Sequence, residues 1–340
     1  MFGKAIVRGF LAVAVVCCAV VAQAVTIETV PICNSGNMAD TTGYGAVGYV
    51  YQMGKYEVTA GQYTEFLNSK AKCDGDLYGL YNTKMADNTV GSYGCNIQRS
   101  GGGTVANPYT YNVAPDWKNR PVNYVSWYDC VRFANWLQNG QGSGSTETGG
   151  TYEITDGGYN SGTVAIPNAA TRATWAAATA KHWVLPSEDE WYKAAYHKNN
   201  GVTGNYWIYP TGSDTEPTAV TGGTAAGTAV CWSNSISPTD TADANNAGGL
   251  SAYGTMGQGG NVLEWNETLV EGMSHGVLRG GYWNFDSASL GSSLRFSNDP
   301  TSFETNYVGF RVASVPEPCS LAMLLGIALT ALLRWRRKRV

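Results

Sequence analysis

Apolar residues recur at helical spacing in three places, and each run is preceded by the same polar signal. Tyr63, Phe66 and Leu67 follow Thr59 on one face. Cys130, Phe133, Ala134 and Leu137 follow Ser126, and Trp191, Ala194 and Ala195 follow Ser187. Three positions after each hydroxyl stands a carboxylate or amide: Gln62, Asp129 and Glu190. This is the capping-box pattern, in which the two side chains each accept a backbone N–H of the first turn. Helices are therefore predicted from Thr59, from Ser126 to Gln138 and from Ser187 to His197. Their acid and amide partners are assigned to capping rather than to catalysis. Tyr49–Val58 alternates in part and is rich in strand formers.

Between these elements the periodicity fades. Cys73–Asp116 is rich in Gly, Asn and Tyr, and Asn139–Trp175 opens with Gly-Ser-Thr repeats. Within the latter, TYEITDGGYNSGTVAIP predicts a hairpin turning at Asp156-Gly157-Gly158. Gly201–Gly249 is a third loop region. Long loops inside a compact domain usually carry function or disorder.

Both ends are apolar runs of a different kind. Lys4 and Arg8, an apolar stretch Gly9–Val21 and the small-residue motif Ala22-Gln23-Ala24 read as a signal peptide over residues 1–24, with a retained membrane anchor as the alternative. At the other end an apolar run, Leu321–Leu333, precedes Arg334 and a cluster of basic residues. As a helix it covers about 20 Å, short of a hydrocarbon layer of about 30 Å unless its flanks lengthen it. The basic cluster favours a cytoplasmic C-terminus. The domain between is expected outside the cytoplasm.

Composition narrows the middle. Charged residues are only 14%, while Gly numbers 42 and Tyr 21, which predicts a turn-rich, aromatic-rich globule with few long surface helices. The net charge of −4 leaves no basic surface signal, so nucleic acid is not an expected partner. Export permits disulfides, and Cys73 and Cys95, which bracket the first insertion, are the pair weighed for one, against two free thiols. Cys130 reads as a buried thiol.

Three short blocks then stand out: GGNVLEW at 259–265, LRGGYWN at 278–284 and VGFRVA at 308–313. With PVNYVSWYDCVRFANWL and LPSEDEWYKAAYH upstream, they resemble the formylglycine-generating enzyme (sulfatase-modifying factor) family. The resemblance implies an α+β, irregular, loop-rich domain over residues 25–313, a variant of the C-type lectin fold, with few short helices and small antiparallel sheets. The Val315-Pro316-Glu317-Pro318 tail, the apolar run and the basic end, residues 314–340, are similar to a PEP-CTERM sorting signal. That likeness implies an exosortase-type processing protease and at least transient membrane attachment; a plain single-pass anchor is the alternative.

The resemblance also locates candidate chemistry. Copper-dependent members oxidise a substrate cysteine with two cysteines just after R-G-G; at those positions this chain has Phe285 and Leu290. The oxidase centre is therefore expected to be lost, with no copper. Iron is not expected either, because the three histidines, His182, His197 and His275, are scattered. A Ser187–His182–Asp189 triad is set aside because Ser187 serves as a cap. Calcium is weighed at the Gly260 and Val262 carbonyls and the Glu264 carboxylate, against Glu264 as a buried acceptor for loop amides. Gly257 stands where the family usually has a further ligand, and Asn234 and Ser235 lie where a second site would form. The remaining candidate is a binding face after R-G-G, made by Tyr282, Asn284, Phe285, Asp286, Ser287 and Ser289 and bordered by Arg295. Aromatic rings beside short polar groups suit a cell-envelope glycan or a protein ligand. Trp283 is assigned to the core. The rival reading is an enzyme with non-copper chemistry in the same cavity.

Overall fold

All three capping boxes form. In the computed structural model, which describes residues 24–89, 93–178, 180–270 and 274–315, Thr59, Ser126 and Ser187 each exchange hydrogen bonds with Gln62, Asp129 and Glu190. These boxes start helices α1 (Ala60–Lys70), α2 (Trp127–Gln138) and α4 (Glu188–Tyr196). The helix α3 (Ala169–Ala176) lies in the stretch read as loop. Its cap is Asn168, whose side chain accepts from Thr171 N, and of its residues only Arg172 is buried. With so little apolar surface turned inward, no 3.6-residue pattern marks it.

The three glycine-rich blocks lie side by side in one four-stranded sheet. Leu263–Val270 sits between His275–Arg279, antiparallel, and Val308–Phe310, parallel; Phe296–Pro300 closes the outer edge. The sheet is therefore mixed, with one parallel pair beside the antiparallel ones. The chain from Phe296–Pro300 crosses over to the far side of Leu263–Val270, and that crossover makes the pair parallel. A second short pair, Thr218–Val220 with Thr228–Val230, is parallel too. The other four-stranded sheet runs in the order Thr29–Ile32, Tyr51–Gly54, Ala313–Val315, His182–Val184 and is antiparallel throughout.

Glycine is required where blocks touch. A Cβ on Gly260 would lie 2.1 Å from Val230 O, and one on Gly309 would lie 2.6 Å from Val122 O. The core forms around α1, α2 and the central sheet. Tyr63, Phe66, Phe133 and Phe310 meet in offset and edge-on pairs, with centroids 5.4–6.1 Å apart. Buried indoles find acceptors, Trp265 at Val125 O and Trp127 at Asn266 O.

Two local expectations change. The 151–167 hairpin forms, but it turns at Tyr159-Asn160, because Asp156–Gly158 belong to the first strand and the register shifts between Thr155 and Gly158. Cys73 and Cys95 are not bonded: Cys73 is exposed and Cys95 is buried in the core. Cys130 is a buried thiol, donating to Ser126 O. The signal peptide and the sorting signal lie, but for their inner edges, outside the described residues. Among the described residues no helix is long and apolar enough to cross a membrane.

Candidate functional site

The segment after Arg279 is bent by two glycines in left-handed conformations, Gly280 (φ 102°) and Gly281 (φ 70°). A Cβ on Gly280 would meet Gln258 O at 2.8 Å; one on Gly281 would meet the Leu290 side chain at 2.5 Å and Phe285 at 3.5 Å. The two positions flagged by the resemblance therefore converge on Gly281. Leu290 is fully buried in a small apolar cluster with Cys231, Tyr209 and Ala229. Trp283 is core, 7% exposed and edge-on to Tyr93. Phe285 is half-buried and lies against Tyr282, at 4.2 Å between centroids.

From there the rings continue. Tyr282 stacks on Tyr307 (4.4 Å, 19° between planes), Tyr307 neighbours Phe303 (6.4 Å), and Phe285 neighbours Phe296 (5.7 Å). All five are half-buried, and they form one continuous aromatic strip over the end of the central sheet. The sequence pattern brought out Tyr282 and Phe285. It missed Phe296, Phe303 and Tyr307, which come from a strand and a loop more than ten residues further on. Their one local signal is Tyr307, placed directly before the VGFRVA block.

The polar candidates take several roles. Asn284 and Asp286 are exposed, and Asp286 caps the turn Ser287–Leu290 by accepting from Ser289 N. Ser287 Oγ donates to Glu216, and Trp232 N donates to Phe285 O at 2.7 Å, fixing the strip to the 231–236 loop. Arg295 turns away from Phe285. It holds Glu188 through two bonds of 2.7 and 3.0 Å and lies over Tyr44.

Glu264 takes a different place from the one weighed for calcium. It is fully buried, and its two oxygens are held by the Arg311 guanidinium at 2.6 Å each; Trp191 Nε1 adds a third bond at 2.7 Å. A guanidinium that binds both oxygens would repel a divalent cation. The residues around Gly260, Val262 and Glu264 therefore do not fit calcium in this arrangement. Asn234 and Ser235 lie on an exposed turn held by Ser233 Oγ. Among the described residues no three Asp, Glu, His or Cys side chains converge on one point.

Other acids follow Glu264. Glu188 binds Arg279 as well as Arg295, and Arg172 joins Glu190 to Glu267. Burial pushes Glu267 up to about 7 although Arg172 opposes the shift. Glu57 is likewise raised to about 7 by burial and by the neighbouring Glu264 charge, with Arg311 opposing; its Oε1 accepts from Asn261. His197 is buried between Tyr253 and Thr203 O, and His182 stacks on Trp175. Asp189 accepts from Gly45 N, so Ser187, His182 and Asp189 make no triad. A cavity of about 320 Å³ opens beside α1, lined by Val25, Gly61, Gln62 and Lys118, but none of the candidate side chains lines it.

Comparison with known proteins agrees with the fold. No curated protein matches. Among solved structures, Treponema denticola variable protein 1 superposes with a TM-score of 0.51 at 18% identity, covering 87% of this chain and 97% of its own. CarF gives a TM-score of 0.51 at 20% identity, covering 85% and 98%. At these identities the likeness is one of fold. The model of the sulfatase-modifying factor enzyme 1-like domain matches residues 46–315, and the chain belongs to that family.

Proposed function

We propose that this domain is a binding module whose ligand site is the aromatic strip Phe303–Tyr307–Tyr282–Phe285–Phe296. The observation that carries the reading is the strip itself. Five rings follow one another at 4.2–6.4 Å between centroids, each covered only in part, beside the polar groups of Asn284, Asp286 and Ser287. Core aromatics in this protein are covered, as Trp283 and Trp265 are. Rings left half-open beside short polar groups offer flat apolar faces with hydrogen-bonding edges, which suits a sugar of a cell-envelope glycan. The carboxylates of Asp286 and Glu216 beside the strip favour a neutral glycan over an anionic one.

Phe285 and Leu290 stand at the positions the resemblance gives to the oxidase cysteines, so copper oxidase activity is absent in this reading. In this reading residues 1–24 act as a signal peptide and residues 314–340 as a sorting tail, which would put the domain in the envelope or outside the cell, where such a glycan is met. The test is a screen of the purified domain against envelope polysaccharide and a glycan array, with Tyr307→Ala in parallel. Binding that Tyr307→Ala weakens supports the site; binding that Tyr307→Ala leaves intact puts the ligand elsewhere.

A further inference from the structure

A pair of carboxylates lies under the loop that carries Phe303 and Tyr307. Asp129, fully buried at the start of α2, spends only Oδ2 on its cap, accepting from Ser126 N and Oγ at 2.8 Å each. Its Oδ1 is buried and takes no hydrogen bond. Glu304 comes from the loop 301–307, which is laid across the residues before α2 by Trp127 N to Thr301 O and Tyr124 N to Thr305 O. Its Oε2 accepts from Asn82, and its Oε1 is also buried without a partner. Asn160 links the two, since its Oδ1 accepts from Ser126 Oγ at 3.1 Å and its side chain also bonds Glu304.

The surrounding charge does not balance this pair. Asp76 adds a third acid nearby, already bound to Leu80 N and Tyr81 N. Arg132 is the cation that eases Asp129, but its Nε and Nη2 are committed to Glu147, Gly158 O and Ser161 O, and its Nη1, though buried, makes no hydrogen bond to either acid. Two buried carboxylate oxygens without donors cost several kcal/mol between them unless a positive charge joins them. Burial raises both groups, Asp129 to about 7 with the Asp76 charge adding, and Glu304 to about 8 with the Asp129 charge adding.

We propose that Asp129 Oδ1 and Glu304 Oε1, with the Asn160 side chain, form a site for one hard divalent cation of the calcium type. Two carboxylates, an amide oxygen and water supply the all-oxygen shell such ions take. Asn160 would turn its amide so that Oδ1 faces the ion. The site differs from the Glu264 position, where a guanidinium already sits. Its occupancy would order the loop that presents Phe303 and Tyr307.

Terbium luminescence, sensitised by the nearby Tyr63 and Tyr159, and calcium calorimetry at pH 8 test this on the full exported chain. The wild type should take up one ion per chain, and calcium should displace terbium. Glu304→Gln and Asp129→Asn should each weaken binding about tenfold or more through the lost ligand charge. In chelator, Glu304→Gln should melt at or above the wild-type temperature, because an amide no longer repels Asp129. No uptake by the wild type, with a proton shared instead, would overturn the proposal. So would equal uptake by a folded Glu304→Gln.

Discussion

The charged framework and the aromatic strip of this molecule are neighbours, and they obey opposite rules. In the framework, Arg311 with Glu264 and Arg279 with Glu188 are 0–4% exposed at the side chain, and each acid is gripped by a guanidinium. In the strip, Tyr282, Phe285, Phe296, Phe303 and Tyr307 carry apolar surface that the fold covers only in part. Both arise from the same blocks: Arg279 precedes the glycine pair and Tyr282 follows it. The contrast separates two jobs that a motif reading merges. The charged members of the blocks hold the sheets and loops together, and past the glycines Tyr282, Asn284 and Phe285 reach the surface while Trp283 stays in the core.

The largest effect should come from breaking the framework. Removing one member of a buried pair strands the other charge, at about 3–5 kcal/mol. Glu264→Ala or Arg311→Ala should therefore unfold at much lower urea than wild type, and calcium should not rescue Glu264→Ala. A loss under about 1 kcal/mol would put these groups in the exposed-pair class and erase the contrast.

Much of the framework's outline was legible in the chain, and its wiring was not. The capping boxes could be read because hydroxyl and acid lie within one turn, and local geometry alone decides their bonds. Glu190 shows the limit. It caps α4 as expected, yet it also receives Arg172 at 2.8 Å and the Tyr49 hydroxyl at 2.7 Å, partners far away in sequence. Arg172 sits on a helix with no apolar stripe, so nothing nearby announces it. The strip was half-legible for the same reason. Tyr282 and Phe285 adjoin a recognisable block, whereas Phe296 and Phe303 reach the face only through strand pairing and a loop. The hairpin turn was displaced because Asp156-Gly157-Gly158 looks like a turn but is absorbed by a register shift. Glu264 was weighed as a cation ligand against a buried acceptor, and its partner Arg311 could not be read locally because it belongs to a block that enters the sheet from another direction.

A smaller effect sharpens the framework side. Glu57 is raised to about 7 in the folded state, above the ordinary carboxylate value of 4.5. The folded protein therefore holds this proton where the unfolded chain has released it. Glu57's contribution to stability is fully present below about 4.5 and is lost as pH rises through about 7. Glu57→Gln should remove that part of the pH dependence. Unfolding curves at pH 5 and pH 8 should show the gap between wild type and Glu57→Gln shifting in favour of the variant at the higher pH. An identical gap at both would mean Glu57 stays ionised.

The smallest effect concerns the exposed thiol. Cys73 touches neither region and carries no disulfide, so Cys73→Ser should change stability by less than about 0.5 kcal/mol. Reductant should leave the melting curve of the wild type unchanged. A fall in melting temperature with reductant would restore the Cys73–Cys95 bond.

Phe285→Ala tests the binding face most directly, because it separates packing from recognition in one protein. A fully buried phenylalanine typically loses about 3–5 kcal/mol on truncation, and a half-open one loses far less. A hot spot for binding loses about 2 kcal/mol of affinity or more. Melting and calorimetric titration with the envelope glycan should show Phe285→Ala stable to within about 1 kcal/mol and bound at least about thirtyfold more weakly. A collapse in stability, or unchanged glycan affinity in a stable variant, would contradict the strip as the ligand site.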